Sequence, residues 1–313
     1  MPGSYESINY ALRPAKNIER RMLCEAFSRL VEFGRLESYR YVGFGSTYFS
    51  DFSLFHKSLR IMNNVSIEHD IKNRERFEFN RPYKCVRLEF GESNAILPGL
   101  TWDMKTIAWL DYDYNLNQGV LTDVAFVCAN APSGSIIVVT VDARPNEYGS
   151  RLALLKSRVE EQKLPQGLSE PKLGGWGTAD VYRRIIANEI NATINARNGG
   201  RQRGTKFLYK QIFNFHYSDG AKMLTVGGII YDEAESDLEK KCGFEHLDFV
   251  RTGREAYLIE VPSLTLKEIR HLDRQLPCAD LSHLNAPSIP TKDVRRYASI
   301  YRYFPAFVEA EIG

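Results

Sequence analysis

The chain has 313 residues, 43% hydrophobic and 26% charged, enough apolar material for a substantial core in one large domain or two. A formal net charge of +2 sets aside binding driven by bulk charge and leaves nucleic acid only a local basic patch. Five cysteines without a C-x-x-C pair set aside a zinc knuckle and a disulfide framework, no apolar run approaches the ~20 residues that span a bilayer, and residues 1–6 lack a signal-peptide pattern. A soluble cytoplasmic protein with reduced thiols is expected.

Arg13-Pro14 opens the first predicted helix, because proline suits a first turn. Ile18, Met22, Leu23, Phe27, Leu30 and Val31 then recur at helical spacing until Gly34 closes it. Residues 39–44 read as a short strand. Gly43 and Gly45 lead it into residues 46–51, whose small polar side chains can cap a second helix. The alternation continues with strands over 64–69 and 84–88, a helix over 71–79, and a looser stretch through Pro98-Gly99. A strand over 106–110, a helix over 119–131 and the β-branched run 135–141 follow. Five strands separated mostly by helices predict right-handed crossovers and a parallel sheet.

Beyond Asp142, residues 151–163 and 178–194 are helical by pattern, with Gly174-Gly175-Trp176-Gly177 in a stretch read as an insertion or cap. Residues 198–204 read as a mobile loop, and 207–217 pair with 222–231 across Ser218-Asp219-Gly220 as an antiparallel hairpin. Charged helices follow, one starting within 263–268. The expected organisation is a helical segment over 1–38, a core over 39–231 with a helical insertion at about 146–205, and a C-terminal helical extension over 232–313.

Strands ending in glycine or acid, followed by a hairpin, resemble the class I S-adenosylmethionine-dependent methyltransferase fold over roughly residues 39–231. Phe79-Asn80-Arg81-Pro82, Trp109-Leu110-Asp111-Tyr112-Asp113-Tyr114 and Tyr301-Arg302-Tyr303-Phe304-Pro305 are also similar to a bacterial group known as putative O-methyltransferases, of unknown substrate. The resemblance implies an α/β, Rossmann-like fold with a mostly parallel seven-stranded sheet, a terminal antiparallel hairpin and helical additions at both ends. It also implies S-adenosylmethionine as cofactor and a small or nucleotide-like acceptor methylated on oxygen.

Gly43 and Gly45 lack Cβ atoms, so the chain through Phe44 and Ser46 can turn tightly against a ligand, and the N–H groups that follow suit a carboxylate. The resemblance assigns that carboxylate to the methionine moiety. Glu68 ends the second strand about two dozen residues later, where an acid accepts from both ribose hydroxyls; His69 and Asp70 are alternatives in the same turn. By the same resemblance, Glu92 and Ser93 lie beside the adenine amino group, and Asp111 lies near the methyl donor and the substrate entrance. The turn lacks the third glycine and the preceding acid often found in such enzymes. The alternative is therefore a non-catalytic Rossmann-like module that senses a nucleotide or binds RNA or a protein partner.

Methyl transfer from a sulfonium is an in-line displacement, so the protein must mainly orient the acceptor and, for a hydroxyl, take its proton. Neither an Asp/Asn-Pro-Pro-Tyr/Phe segment nor a Pro-Cys pair directly follows the fourth strand, which leaves O-methylation. Asp111 and Asp113 are the candidate bases. With Asp142 they are alternatively Mg²⁺ ligands, unless Asp113 caps a turn and Asp142 holds backbone near Arg144. Arg13, Lys16 and Arg20 fall near one face of the first helix, where they could hold an anionic acceptor; a solvated face neutralised by Glu19 is the other reading. Tyr112 joins them as a candidate substrate contact. Arg201, Arg203 and Lys206, in a loop with Gly199, Gly200 and Gly204, could close over an anion or RNA. Tyr48, Phe49, Phe52 and Phe55 could wall the cofactor pocket or simply be core, and Tyr297, Tyr301 and Tyr303 could close the substrate mouth or pack on the sheet.

Overall fold

A computed structural model describes residues 13–305; the outer ends of the expected helical additions, 1–12 and 306–313, lie outside the described residues. The strands are β1 (Arg40–Gly43), β2 (Asn63–Glu68), β3 (Val86–Phe90), β4 (Thr106–Asn115), β5 (Ser135–Asp142), β6 (Phe207–Ser218), β7 (Lys222–Asp232) and β8 (Tyr257–Ile259). They form one sheet in the order β3-β2-β1-β4-β5-β7-β6-β8. β1 to β5 run parallel, β7 is antiparallel to both β5 and β6, and β8 pairs parallel with β6. The expected count of seven strands is thus corrected to eight among the described residues. Three residues are too few to show a period of two, so β8 leaves little trace in the sequence.

Helices cover both faces, and the strand pleat decides which side chain meets which. In β1, Tyr41 enters the cluster containing Ile18, Phe27, Phe52, Phe55 and Trp109, while Val42 enters the opposite cluster with Leu110, Val124, Val139 and Ile186. The first cluster draws on α1 (Pro14–Ser28) and α2 (Ser50–Leu59); the second draws on α5 (Gln118–Asn130) and α7 (Gly177–Arg197). Between α2 and α5 come α3 (Arg74–Asn80) and α4 (Ser93–Gly99), and α6 (Arg151–Arg158) precedes α7. After the hairpin come α8 (Ser236–Lys241), α9 (Leu266–Asp273), which opens on a capping box between Thr265 and Glu268, and α10 (Thr291–Ile300). Leu272, Ile289, Val294 and Tyr297 form a small third cluster.

Several local expectations change. Residues 93–99, read as loose, form α4, which tolerates Pro98 in its last turn. The helix expected over 151–163 ends at Arg158, with a single 3-10 turn at Glu161–Lys163. α2 starts at Ser50, after Phe49 in the left-handed region (φ 45°), with no side-chain cap, so the polar residues from Ser46 onward form a turn instead of a helix cap. β4 runs on past Leu110 to Asn115, with an irregular register between Asp111 and Asn115.

α1 owes its start to a distant residue. Arg13 supplies no side-chain cap. Asp219, in the turn joining β6 to β7, accepts instead from the Lys16 N–H at 2.9 Å and the Ala15 N–H at 3.4 Å. A carboxylate there satisfies unpaired donors and meets the positive end of the helix dipole.

Candidate active site

Parallel strands β1, β2, β3 and β4 bring their carboxyl ends to one edge, the usual place for ligands in open α/β sheets. Gly43 ends β1 there, and Gly45 lies two residues on. A Cβ on Gly45 would lie 2.5 Å from Ser66 Oγ and 2.6 Å from the Phe49 ring, so only glycine lets this peptide close on β2. The Gly45 N–H donates to Glu68 Oε1 at 3.0 Å, and the Ser66 hydroxyl donates to the same oxygen at 2.6 Å. Glu68 is buried at the end of β2. Burial pushes its carboxyl up to about 7, with the Ser66 and Gly45 bonds opposing that rise.

The remaining cofactor candidates sit around this junction. Phe44 packs edge-on against Tyr112, with ring centroids 5.1 Å apart. Ser46 adopts φ 51°, and its hydroxyl accepts from the Tyr48 N–H at 3.3 Å. His69 and Glu92 are exposed, Glu92 immediately before α4. Ser93 is committed elsewhere: its hydroxyl and that of Tyr112 both donate to Asp123 Oδ2. Tyr112 is buried and held by that bond at 2.6 Å, so it braces the edge instead of presenting its hydroxyl to an acceptor.

Asp111 stands at the end of the regular β4 ladder, opposite Thr140. Its Oδ2 lies 2.7 Å from Lys16 Nζ, and its side chain is 25% exposed. Lys16 also pairs with Glu19 at 2.8 Å, donates to the Tyr217 hydroxyl at 3.1 Å and lies 4.5 Å above the Trp109 ring. Trp109 Nε1 donates to the Thr140 hydroxyl at 3.0 Å, which meets the Thr225 hydroxyl at 2.7 Å; Thr225 in turn donates to Glu19. On the basic face of α1, Lys16 and Arg20 are therefore buried instead of solvated and Lys16 is closed to an acceptor, while Arg13 is part-buried with its Nε 4.0 Å from Asp219. Lys16 is 1% exposed, and Arg20 is buried close enough to Asp51 to oppose the rise that burial imposes on that carboxyl. Asp51 also accepts from the Tyr41 hydroxyl.

Asp113 is exposed, apart from this network. Asp142 is buried and takes the Arg144 N–H and guanidinium, as the turn-holding reading of that residue expects. With Asp111 on Lys16 and Asp142 on Arg144, the expected carboxylates do not offer a Mg²⁺ set. No group of three or more His, Cys, Asp or Glu suited to a metal occurs among the described residues. The loop of Arg201, Arg203 and Lys206 precedes β6, which runs parallel to β5, so it lies at the amino edge and cannot close over this site. Gly204 N–H is tied to Glu233 at 2.7 Å, and Arg201 lies over the Phe207 ring. Phe49, Phe52 and Phe55 are core, and Tyr297 and Tyr303 are bonded to Asp273 and Glu25.

Sequence reasoning missed Ser66, Asp51, Asp123 and Asp219. The available signal for the first two was a polar residue at a core-facing position within an otherwise apolar strand or helix.

An eight-stranded, mostly parallel sheet with β7 reversed between β5 and β6, and a glycine turn joined to an acid at its carboxyl edge, defines a Rossmann-like methyltransferase fold. Over residues 8–312 the chain matches the family described as "Putative O-methyltransferase", and it belongs to that family. No curated protein matches it in a sequence comparison. Among solved structures it is similar to Trm1 from Pyrococcus horikoshii in complex with S-adenosyl-L-methionine, at 12% identity and TM-score 0.46, covering 77% of this chain and 61% of that one. It is also similar to the O-methyltransferase TomG from Streptomyces achromogenes in complex with SAM (12% identity, TM-score 0.36, 66% and 79% covered). A third is the O-methyltransferase from Bacillus cereus in complex with SAH (13% identity, TM-score 0.34, 66% and 80% covered). With TM-scores below 0.5, none of these likenesses bears on what this chain does. No helix among the described residues is long and apolar enough to cross a membrane, and the five cysteines are free.

Proposed function

We propose that the chain transfers the methyl group of S-adenosylmethionine to an oxygen of a small or nucleotide-like acceptor at the carboxyl edge of β1 to β4. The observation that carries this reading is the direct bond from Gly45 N–H to Glu68 Oε1, which puts the glycine turn and the acid at one spot. The residues present fit an adenosyl group. Glu68 Oε1 is taken by Gly45 and Ser66, leaving Oε2 for a ribose hydroxyl, and exposed Glu92 suits the adenine amino group. When bound, the cofactor supplies an electrophilic methyl on a sulfonium.

The chain's own residues supply orientation and the proton acceptor. Lys16 fixes Oδ2 of Asp111, so the partly exposed carboxylate offers its other oxygen to the acceptor hydroxyl. Tyr112, immobilised on Asp123 and packed on Phe44, forms a rigid wall beside it. The basic residues of α1 act through Asp111 and Asp51 from below.

Calorimetry with S-adenosylmethionine and S-adenosylhomocysteine tests the cofactor half of this reading. Saturable binding of both is expected; folded protein that binds neither would overturn it. Transfer of labelled methyl across a panel of phenols, carboxylates and nucleotides tests the chemistry. Cofactor binding without any transfer would favour the non-catalytic module.

A further inference from the structure

The peptide donors after β1, where a bound carboxylate was expected, are largely taken within the chain. The Gly45 N–H is on Glu68, the Tyr48 N–H is on the Ser46 hydroxyl, and the Phe49 N–H is on the Gly45 carbonyl at 3.0 Å. α2 begins only at Ser50, and the Asp51 carboxylate already occupies its first turn, accepting from its own backbone N–H. A second anion at that helix start would meet like charge.

Arg20 is the cation left over beside this turn. It lies one helical turn beyond Lys16, whose Nζ reaches Asp111 at the carboxyl edge. Helical side chains lean toward the helix N-terminus, so Arg20 leans toward the same edge. Its charge acts on the Tyr41 hydroxyl and on Asp51, and Asp51 in turn acts on Glu68. That Tyr41 hydroxyl would lie 2.5 Å from a Cβ on Gly43, so Arg20 stands at the inner wall of the glycine turn. Yet it forms no hydrogen bond or ion pair among the described residues, and Asp51 is engaged by Tyr41. Its side chain is 7% exposed, and whereas the unbonded Nε atoms of Arg40 and Arg183 are sealed from solvent, none of its own nitrogens is. A buried guanidinium whose unbonded nitrogens keep the little remaining surface is aimed at an opening. Buried charges are normally paired, because an unpaired one carries its full desolvation cost.

We infer that Arg20 receives the α-carboxylate of the cofactor's methionine moiety, and so makes the site selective for an adenosyl amino acid over an adenosyl amine. This rests on the methyl-transfer reading of the carboxyl edge. The carboxylate supplies the partner that Arg20 lacks, and a guanidinium grips a carboxylate through two parallel N–H donors. Lys16 cannot take this part, because its ammonium is spent on Asp111, Glu19 and Tyr217. Arg20 thereby does what the peptide donors of a helix start would otherwise do.

Titration calorimetry of the full chain with S-adenosylmethionine and with decarboxylated S-adenosylmethionine, which keeps the adenosine, the sulfonium and the amine, tests this. Wild-type protein should bind the parent at least about tenfold more tightly than the decarboxylated form. Arg20→Gln should lower affinity for the parent at least about tenfold and leave the decarboxylated form within about twofold of wild type. Arg20→Lys, which keeps the charge, should lose less than Arg20→Gln. Equal wild-type affinity for the two ligands would overturn the inference and leave the cofactor reading standing. So would undiminished affinity for the parent in Arg20→Gln, or an equal loss for both ligands, which is what packing damage alone produces. Wild-type protein that binds neither ligand would overturn the cofactor reading and this inference with it.

Discussion

The peptide N–H of Gly45 and the carboxylate of Glu68 meet at 3.0 Å, so the turn after β1 and the end of β2 form one unit. In the proposed function, replacing Glu68 by alanine removes the carboxylate that would meet the ribose hydroxyls. Hydrogen bonds to charged groups are worth about 1.5–3 kcal/mol, so Glu68→Ala should weaken S-adenosylhomocysteine binding by roughly that amount, read by calorimetry. Unchanged affinity would move the ribose contact to another acid, His69 and Asp70 being its neighbours.

Glu68 also makes stability depend on pH. Its carboxyl is raised from 4.5 to about 7 in the folded protein, chiefly by burial. The folded state therefore binds this proton more tightly than the unfolded chain, and the contribution is most favourable below 4.5 and lost as pH rises toward 7. Glu68→Gln removes the dependence while keeping an acceptor for Gly45 and Ser66. Urea denaturation should show it more stable than wild type at pH 8, by at most roughly 3 kcal/mol, and nearly equal at pH 5.

Lys16 joins Asp111 and Glu19 in a buried network under the site. Lys16→Met leaves two carboxylates without their cation, a change that typically costs about 3–5 kcal/mol. Adding Asp111→Asn should recover part of that loss, and the pair should be strongly non-additive in a double-mutant cycle followed by urea midpoint. Additive effects would mean that the two side chains do not interact.

Gly45→Ala tests why glycine occupies the turn. A Cβ there meets Ser66 Oγ at 2.5 Å and Phe49 at 2.6 Å, so the peptide must retreat from β2. Overpacking of this kind costs about 1–3 kcal/mol in denaturation, and the displaced N–H should also weaken cofactor binding. A variant that keeps both stability and affinity would contradict the close approach.

The parallel half of the fold was legible because buried strands such as residues 135–141 are runs of β-branched residues, and because glycine and proline punctuate the crossovers. α4 was missed for the same reason: Pro98-Gly99 reads as punctuation, yet the helix runs through Pro98 to Gly99, giving up the one hydrogen bond that a residue 98 N–H would make to the Asn94 carbonyl. That Gly45 and Glu68 meet at one edge was legible because their sequence interval follows from the geometry of one crossover. The face of α1 was misread, since spacing cannot tell whether charges at 16, 19 and 20 face water or the partner acids at 51 and 111. Those partners lie far along the chain, and no local pattern announces them. Residue 123 was passed over likewise, as a lone acid on an apolar helix whose two hydroxyl donors come from other elements.

The cap that Asp219 places on α1 sets an order of events at the ribosome. The helix emerges first, but the carboxylate that receives its Lys16 N–H is encoded 203 residues later. At synthesis rates of about 5–20 residues per second, that carboxylate follows the helix by on the order of 10–40 s. Throughout that delay the Ala15 and Lys16 N–H groups at the start of the helix have only water in place of the Asp219 carboxylate.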